Sequence, residues 1–505
     1  MRKVYRKMRR FSEGSEGIVR LLAALALLLS LAAPLAAFQQ PNPADGSRPA
    51  AASQTEEPPQ AEEKKISPQQ AEELFRSIDE ILEFSSKDTG FPIKGKVKRR
   101  LISRDEVVEY LTKHMNEDED SKRLQRSALV LKKFGLIPRD FDLQKFLVAL
   151  LKEQVAGFYD PKTKTVNLLD WLGAEQQKPV LAHELTHALQ DQSFGLEKWM
   201  NAGAADLDSK KDLTSDDIES DELSAARQAV VEGQAMVTLI DYMLAPAGRS
   251  LVNSPDVAQA LKEGMLAGTA DSTVFHDAPI FLKEALTFPY RYGLDFEAAL
   301  LTAGGKQKAF AGAFADPPRT TRQIMQPQTY LTGEKIPPMN LPDFKAIFRN
   351  YDRFDVGAMG EFDVALLLDQ YDSVATSHRL YPFWRGGYYY AARPKGDAAA
   401  PLALLYVSRW SDADSAAQFA AIYAQSLSKR YQKAREAVAD GAKPPELAPP
   451  EKTMEKLTGQ HTWLTEEGPV VIEVKDDRVM ITESLDPQAT EEAEKELFPA
   501  VAAAK

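Results

Sequence analysis

The chain has 505 residues, of which 44% are hydrophobic and 27% charged, and its formal net charge is −12. Two or three domains are expected at this length, and the acidic balance argues against nucleic acid or an anionic lipid surface as a partner. The sequence has no cysteine, which excludes disulfides, thiolate nucleophiles and cysteine-based zinc sites.

The first 37 residues are typical of an export signal. A basic start precedes the apolar run Leu21–Ala33, which is short for a membrane span, and small residues follow at Ala36 and Ala37. We therefore predict a signal peptide over 1–37 and an exported protein, periplasmic or secreted. The alternative is an uncleaved segment that tethers the protein to the membrane, which is the only membrane contact we expect.

A linker and a series of helices follow the predicted signal. Residues 38–66 are rich in Pro, Ala, Gln and Glu, which predicts a disordered linker. Ser67 and Pro68 then precede apolar residues at helical spacing, which predicts a capped helix. The further elements predicted here are a strand over about 96–102 and helices over about 104–115, 121–134 and 142–152.

Two short β-like runs, 155–159 and 165–169, are joined by a turn at Asp160-Pro161 and predict a hairpin. This hairpin directly precedes the helix that carries the chain's most informative motif. Two roles for it stay open. Either its edge strand pairs with an extended peptide by strand addition, or the hairpin has a purely structural role.

The motif is His183-Glu184-Leu185-Thr186-His187, within a helix predicted over about 175–192. Residues four apart lie on one face of a helix, with Cβ atoms about 5–6 Å apart, so the two imidazoles reach a single zinc ion. Glu184 then lies close to a water on that metal. Leucines occupy the opposite face, so we predict that one side of the helix packs into a core while the histidine side faces a cleft.

A zinc site of this kind needs a third protein ligand. Gln190 and Ser193 stand where a metzincin has glycine and histidine, which excludes that class. Glu232 is the lone carboxylate in the middle of an apolar helix predicted over 223–244, and an unpaired buried carboxylate is costly unless a metal or an arginine compensates it. We predict Glu232 as the ligand, with a core Glu–Arg pair as the alternative.

Residues near the motif and near Glu232 are weaker candidates for a role in the metal site. Glu219 and Glu222 lie at an acidic helix start, where the helix dipole explains them. Asp191 follows His187 by one turn and either orients an imidazole or is a plain surface residue. Ala229 and Gly233 belong to a stripe of small residues, which predicts that the helix of Glu232 approaches another helix closely.

The sequence His-Glu-Leu-Thr-His-Ala-Leu-Gln-Asp-Gln, followed by Val-Glu-Gly-Gln-Ala, resembles the gluzincin class of zinc metallopeptidases. It is similar, more narrowly, to a group of largely uncharacterised exported bacterial proteins. The resemblance implies a zincin-like domain in which His183, His187 and Glu232 bind Zn²⁺ and Glu184 is the general base. The interval between His187 and Glu232 is longer than in thermolysin-like enzymes, and Gln234 stands where an acidic residue is expected.

Such an enzyme usually has a further donor for the oxyanion. His276 and Tyr290 are candidates for it, with plain packing as the alternative for each. Arg322 and Gln326 lie in a segment that resembles the closing segment of the same group, where acidic and histidine residues are expected. Any polar role of that segment is then altered or lost.

We predict an α+β fold with a mainly helical zincin-like domain over 67–340 and a smaller α+β domain over 343–505. In the second domain, strands are expected around 387–393, 402–410, 470–474 and 478–483. The functional hypothesis is an exported zinc peptidase, more an endopeptidase than an exopeptidase, acting on a peptide or protein. The alternatives are a non-catalytic envelope scaffold that keeps the metal site, and an enzyme that processes only itself.

Overall fold

The computed structural model describes residues 65–498, apart from 108, 110–117, 155–156, 204–211, 255, 261–271 and 438–454. The predicted signal, most of the predicted linker and most of the helix predicted over 104–115 lie outside these residues. Within the described ranges, no helix is both long and apolar enough to cross a membrane. At the start of the described chain, Lys65 forms an ion pair with Asp170 at 3.1 Å, and the Ile66 N–H donates to the Asp170 carbonyl at 2.7 Å.

The first part of the described chain is mainly helical, as predicted. Its longest helices, α1, α4, α7 and α9, share one apolar core, and a π-helical segment, Lys308–Gly312, follows α9. The helices are α1 (Pro68–Thr89), α2 (Asp118–Phe134), α3 (Leu143–Gln154), α4 (Ala174–Phe194), α5 (Leu196–Met200), α6 (Ser215–Ile218), α7 (Ser220–Leu244), α8 (Thr273–His276), α9 (Ile280–Gln307), α10 (Ala313–Ala315), α11 (Thr321–Met325) and α12 (Pro327–Leu331).

Helix α1 begins where its sequence predicts. The Ser67 hydroxyl accepts from the Gln70 N–H at 3.2 Å, and the Gln70 side chain accepts from the Ser67 N–H at 2.8 Å. This reciprocal pair satisfies two N–H groups that the first helical turn leaves free. Gly90, with φ of 76°, ends the helix, because glycine adopts this left-handed conformation without a steric penalty.

The predicted hairpin is present and belongs to a sheet of three strands. Strands β2 (Phe158–Asp160) and β3 (Thr165–Leu169) pair antiparallel, and β1 (Lys98–Ile102) pairs parallel with β3 on its other side. The order β1-β3-β2 leaves β2 at the edge. This edge strand contacts α4, the helix that carries His183, Glu184 and His187.

Two glycines allow α7 and α9 to approach each other closely, as the stripe of small residues predicts. A Cβ on Gly233 would lie 2.4 Å from the Gly293 carbonyl oxygen, and one on Gly293 would lie 2.3 Å from the Ala229 carbonyl oxygen. Both obstacles are backbone atoms, so neither position accepts a side chain without separating the helices. Glu232 precedes Gly233, and its position therefore depends on this approach.

We expect Gly293→Ala to separate α7 from α9, to destabilise the protein by about 1–3 kcal/mol and to weaken metal binding through displacement of Glu232. Urea unfolding and a metal titration measure the two effects. Gly95→Ala is the control, because an added methyl there would meet no atom within 4 Å. Equal results for the two variants would contradict the prediction.

The remainder of the described chain contains a sheet of seven strands, and the α+β fold class is confirmed. The strand order is β4-β5-β6-β10-β9-β8-β7, and every pairing is antiparallel. The strands are β4 (Tyr351–Ala358), β5 (Trp384–Pro394), β6 (Ala403–Trp410), β7 (Ala434–Glu436), β8 (Gly459–Thr465), β9 (Gly468–Lys475) and β10 (Arg478–Glu483). The helices are α13 (Phe344–Ile347), α14 (Glu361–Tyr371), α15 (Val374–Leu380), α16 (Ala413–Arg430) and α17 (Pro487–Leu497).

Helices cover both faces of this sheet. Along β6, Leu404 and Tyr406 lie in one apolar cluster with α14 and α16, whereas Leu405 and Val407 lie in another with α13 and α17. This alternation follows from the two-residue period of a strand. The strands predicted from apolar runs are all present, while β4, β7 and β8 were missed because they are more polar and partly exposed.

Contacts join the helical part to the sheet across the predicted joint near 340. The Phe362 ring of α14 lies 4.3 Å from the Phe288 ring of α9. Arg322 donates to Glu361 at 2.7 Å, and so does Gln326. Arg322 and Gln326 thus bind the sheet region through Glu361, which gives them a structural role. The domain limits 67–340 and 343–505 stay predictions.

A group of buried carboxyls lies at the same junction. The Thr321 N–H donates to Glu222 at 2.9 Å, and a Cβ on Gly360 would overlap the Glu222 carboxylate. Burial, together with neighbouring carboxylates, raises the pKa of Glu222 to about 8 and that of Asp363 to about 6. Burial also raises the pKa of Glu361 to about 7 although Arg322 and Arg385 oppose the shift.

These groups bind protons more tightly in the folded state than in the unfolded state. The stability that these three groups contribute should therefore be greatest at acidic pH and should fall as pH rises from about 4.5 to 8, by up to about 1.4 kcal/mol per pH unit for each group. We expect Glu222→Gln to flatten this fall in urea unfolding series at several pH values. Glu83→Gln, an exposed glutamate in α1, should leave it unchanged, and an unaltered slope in Glu222→Gln would contradict the assignment.

Candidate metal centre

Helix α4 is buried around most of its circumference, which differs from the predicted open histidine side. His183 is 0% exposed and Glu184 2%, because that side of α4 packs against α7 and the Tyr290 ring of α9 lies beside His183. The His187 side chain is 12% exposed. Solvent therefore reaches the motif on the His187 side.

Three donor atoms from α4 and α7 converge in this buried region. The Nε2 atoms of His183 and His187 are 3.0 Å apart. Glu232 Oε2 lies 3.1 Å from the first nitrogen and 3.3 Å from the second. The three atoms thus form a nearly equilateral triangle, and the three predicted ligands are brought together despite their long separation in sequence.

The triangle has the dimensions of a metal site. A tetrahedral zinc ion with bonds of about 2.0–2.1 Å separates its ligand atoms by roughly 3.3 Å. His183, Glu184 and His187 also offer ligand atoms within 4.8 Å of one another. Glu232 is the better third ligand of the two glutamates, because its Oε2 lies close to both nitrogens whereas an oxygen of Glu184 is already held by the backbone.

The charges of the three groups suit a cation. Burial lowers the pKa of the His183 imidazole to about 4, so this ring is neutral. Burial also opposes charge on Glu232 and His187, but their mutual attraction outweighs it, lowering the pKa of Glu232 to about 2 and raising that of His187 to about 9. Without a metal His187 is therefore protonated at neutral pH, and a zinc ion would displace the proton on its Nε2. The resulting ionised carboxylate and two neutral imidazoles are the donor set that zinc prefers.

No family model matches this chain, and no curated protein or solved structure matches it either.

Glu184 is held by one oxygen only. Its Oε2 accepts the N–H of Tyr159, in the edge strand β2, at 2.7 Å. Its Oε1 is buried and has no hydrogen-bond partner among the described residues. Burial raises the pKa of Glu184 to about 7, although His187 and the Tyr159 N–H oppose the shift. A carboxyl with one fixed oxygen, one unengaged oxygen and a pKa near neutrality suits proton transfer.

The hairpin thus positions Glu184, which favours its structural role. The Tyr159 N–H donates to Glu184, so that N–H does not serve an added strand. Asp191 reinforces the arrangement, since it accepts from the Tyr159 hydroxyl at 2.7 Å and from Lys164 in the hairpin turn. Asp191 is therefore neither an acceptor for an imidazole nor a surface residue, because only 6% of it is exposed.

The acceptor for an imidazole is Gln190, which sequence reasoning missed. Its Oε1 lies 2.9 Å from His187 Nδ1. Its Nε2 donates to Gln234 Oε1 at 3.1 Å. The signal in the sequence was the spacing, because residues three apart on a helix are neighbours. Gln234 is thus part of the site although it is not acidic.

The structure separates the two candidate oxyanion donors. Tyr290 lies in α9 with its ring 6.1 Å from the His183 ring, nearly parallel to it, and its buried hydroxyl has no hydrogen-bond partner in the described part of the chain. Burial and the Glu232 and Glu184 carboxylates raise the pKa of Tyr290 well above 10, so it remains a donor. The His276 side chain is 70% exposed and contacts Asp277 in its own turn, which does not suit a donor in a buried site.

Glu219 and Glu222 are not brought to the triangle. Glu219 is the N-cap residue of α7. Glu222 is buried at the junction with the sheet, where it accepts from Thr321. The helix dipole does not explain Glu222, whose hydrogen bonds to another helix account for its burial.

Proposed function

We propose that this chain is a zinc-dependent peptidase that hydrolyses peptide bonds with an activated water. The observation that carries the proposal is the triangle of His183, His187 and Glu232 donor atoms with the unengaged Glu184 oxygen beside it. Its dimensions, burial and charges fit a zinc ion, and no other described group combines these properties. The resemblance of the motif to the gluzincin class points the same way.

His183, His187 and Glu232 would hold the zinc ion. When bound, zinc supplies a Lewis acid that polarises a carbonyl and makes a water molecule more acidic. Glu232 would bring the negative charge that partly neutralises the dication, and the two imidazoles would offer it the converging Nε2 atoms. Tyr159 fixes the direction of Glu184 through its backbone N–H.

Glu184 accordingly acts as general base and then as general acid. Its Oε1 takes a proton from the water that adds to the peptide carbonyl carbon. It then gives this proton to the amide nitrogen as the carbon–nitrogen bond breaks, which leaves a new carboxyl and a free amine. The Tyr290 hydroxyl, which is buried beside the Glu232 carboxylate, donates to the carbonyl oxygen as negative charge develops on it.

The substrate is a peptide or protein outside the cytoplasm, because residues 1–37 resemble an export signal. It approaches from the His187 side, where the cluster is least buried. We further propose that the enzyme is an endopeptidase, since the described site offers no acidic group free to bind a substrate amino terminus. Glu232 is held by both histidines, and the unengaged Oε1 of Glu184 is needed for the attacking water.

The main alternative is an envelope scaffold that keeps the fold and the metal but has lost catalysis. Glu184 argues against it, because a scaffold needs no general base. Self-processing is a further alternative, with the predicted linker 38–66 as the substrate. A shift in size of the wild-type chain, without cleavage of added proteins, would identify it.

The test is hydrolysis of a disordered protein by the full chain. We expect one zinc ion per chain, cleavage that a chelator stops, and recovery of cleavage when zinc is added back. A chain that binds no zinc would overturn the metal site. A fully loaded chain that cleaves none of a broad set of disordered proteins, and does not cleave itself, would support the scaffold.

A further inference from the structure

His187 is connected to a distant backbone segment through two buried amides. Its Nδ1 lies 2.9 Å from Gln190 Oε1, and Gln190 Nε2 lies 3.1 Å from Gln234 Oε1. Gln234 Nε2 lies 2.8 Å from the Ala309 carbonyl oxygen and 3.1 Å from that of Phe310. Both glutamines are 0% exposed, so water does not compete for these bonds. We call Gln190 and Gln234 the amide relay.

The direction of every hydrogen bond in the amide relay is determined by backbone carbonyls. The Ala309 and Phe310 carbonyls only accept, so Gln234 must present its NH₂ group to them and its Oε1 to Gln190. Gln190 must then present its own NH₂ group to Gln234, and this group also donates to the Val231 carbonyl at 3.1 Å. Gln190 Oε1 therefore faces His187 and requires a hydrogen on its Nδ1.

We propose that Gln190 and Gln234 are positioning residues that fix His187 with its hydrogen on Nδ1 and its Nε2 lone pair directed at the metal. This inference rests on the metal site of the proposed function. Groups that orient a ligand histidine are usually a carboxylate, a backbone carbonyl or water. Here two neutral amides have this role. The carbonyls of the π-helical segment fix the orientation of the Gln234 amide, which fixes that of Gln190 and so the hydrogen on His187.

The amide relay links the two ligand helices to the segment that follows α9. Gln190 lies in α4 with both histidine ligands, and Gln234 lies in α7 two residues after Glu232. The π-helical segment Lys308–Gly312 supplies the terminal carbonyls. His183 has no equivalent device, since its Nδ1 is buried without a hydrogen-bond partner within the described ranges.

The buried carboxyl of Glu297 lies beside the amide relay. Glu297 is 0% exposed, and both of its oxygens lack a hydrogen-bond partner in the part of the chain that the structure describes. Burial raises the pKa of Glu297 well above its usual value, despite the neighbouring Gln234 amide. Burial thus favours the uncharged form of this carboxyl.

The test is a double-mutant cycle on zinc affinity in the full chain, measured by competition with a chelator. Methionine replaces each glutamine, because it has a similar length and no hydrogen-bonding amide. We expect Gln190→Met to weaken zinc binding about 10–100-fold, and Gln234→Met to weaken it as well. Because both act through one chain of bonds, the double variant should be no weaker than Gln190→Met alone.

Gln176→Met is the matched control, since Gln176 is an exposed residue of the same helix, and its affinity should equal that of wild type. Nitrogen NMR of the zinc-loaded wild type provides an independent measurement, in which His187 should carry its hydrogen on Nδ1. Zinc bound through Nδ1 would overturn the relay, and so would single variants with wild-type affinity or independent effects that multiply. A wild type that binds no zinc would instead overturn the proposed function.

Discussion

Replacement of Glu184 by glutamine should abolish hydrolysis while zinc remains bound. The amide keeps an oxygen for the Tyr159 N–H, so the side chain and the edge strand stay in place. It cannot accept the proton of the attacking water, and loss of a general base costs about 10²–10⁴-fold in rate. The measurement is the rate of cleavage of a disordered protein, with zinc content determined on the same sample.

The control for this variant is Glu175→Gln, an exposed glutamate in the first turn of the same helix. Its rate and zinc content should match those of wild type. A Glu184→Gln protein that cleaves as fast as wild type would show that another group moves the proton. A wild type as inactive as the variant, with zinc bound in both, would favour the scaffold.

Replacement of Glu232 by glutamine should remove the metal itself. The neutral amide brings no charge to offset a dication, and the Oε2 atom near both histidine nitrogens is replaced or re-oriented. Since loss of a group that only orients a ligand already costs about 10–100-fold in affinity, we expect a larger loss here. Zinc stoichiometry after dialysis, and affinity by chelator competition, measure it.

Glu222→Gln is the matched control, because Glu222 is another buried glutamate of α7 that lies away from the triangle. It should keep a full complement of zinc even though it changes the dependence of stability on pH. Retention of zinc by Glu232→Gln would mean that Glu184 is the third ligand. Loss of zinc from both variants would mean that damage to α7, and not a ligand, explains the result.

The prediction of Glu232 shows how far a sequence pattern reaches. A carboxylate alone in an apolar helix is costly, and this cost singled it out from the more numerous acidic residues before it. The pattern did not reveal how the helix is placed. The position of the helix depends on Gly233 and Gly293, which have no side chains and so let α7 and α9 pack closely. Helix propensity does not predict how closely two helices pack.

Asp191 and Gln190 show what a sequence pattern leaves undecided. Asp191 follows His187 by one turn, which suggested a role toward an imidazole, yet it accepts from Tyr159 and Lys164 of the hairpin. Gln190 has the role toward the imidazole, because it is next to His187 on the helix and because Val231 and Gln234 of α7 orient its amide. Helical spacing predicts which residues can reach His187, and the contacts made by α7 determine which of them does.

The motif His183-Glu184-Leu185-Thr186-His187 remains the feature that the sequence by itself determined, together with the α+β class and most helices. These follow from short-range spacing, since one helical turn fixes which side chains are neighbours. The tertiary structure alone decided that Tyr159 holds Glu184, that Tyr290 and not His276 lies at the cluster, and that two amides orient His187. Each joins residues far apart in the chain, and such contacts depend on how helices and strands pack.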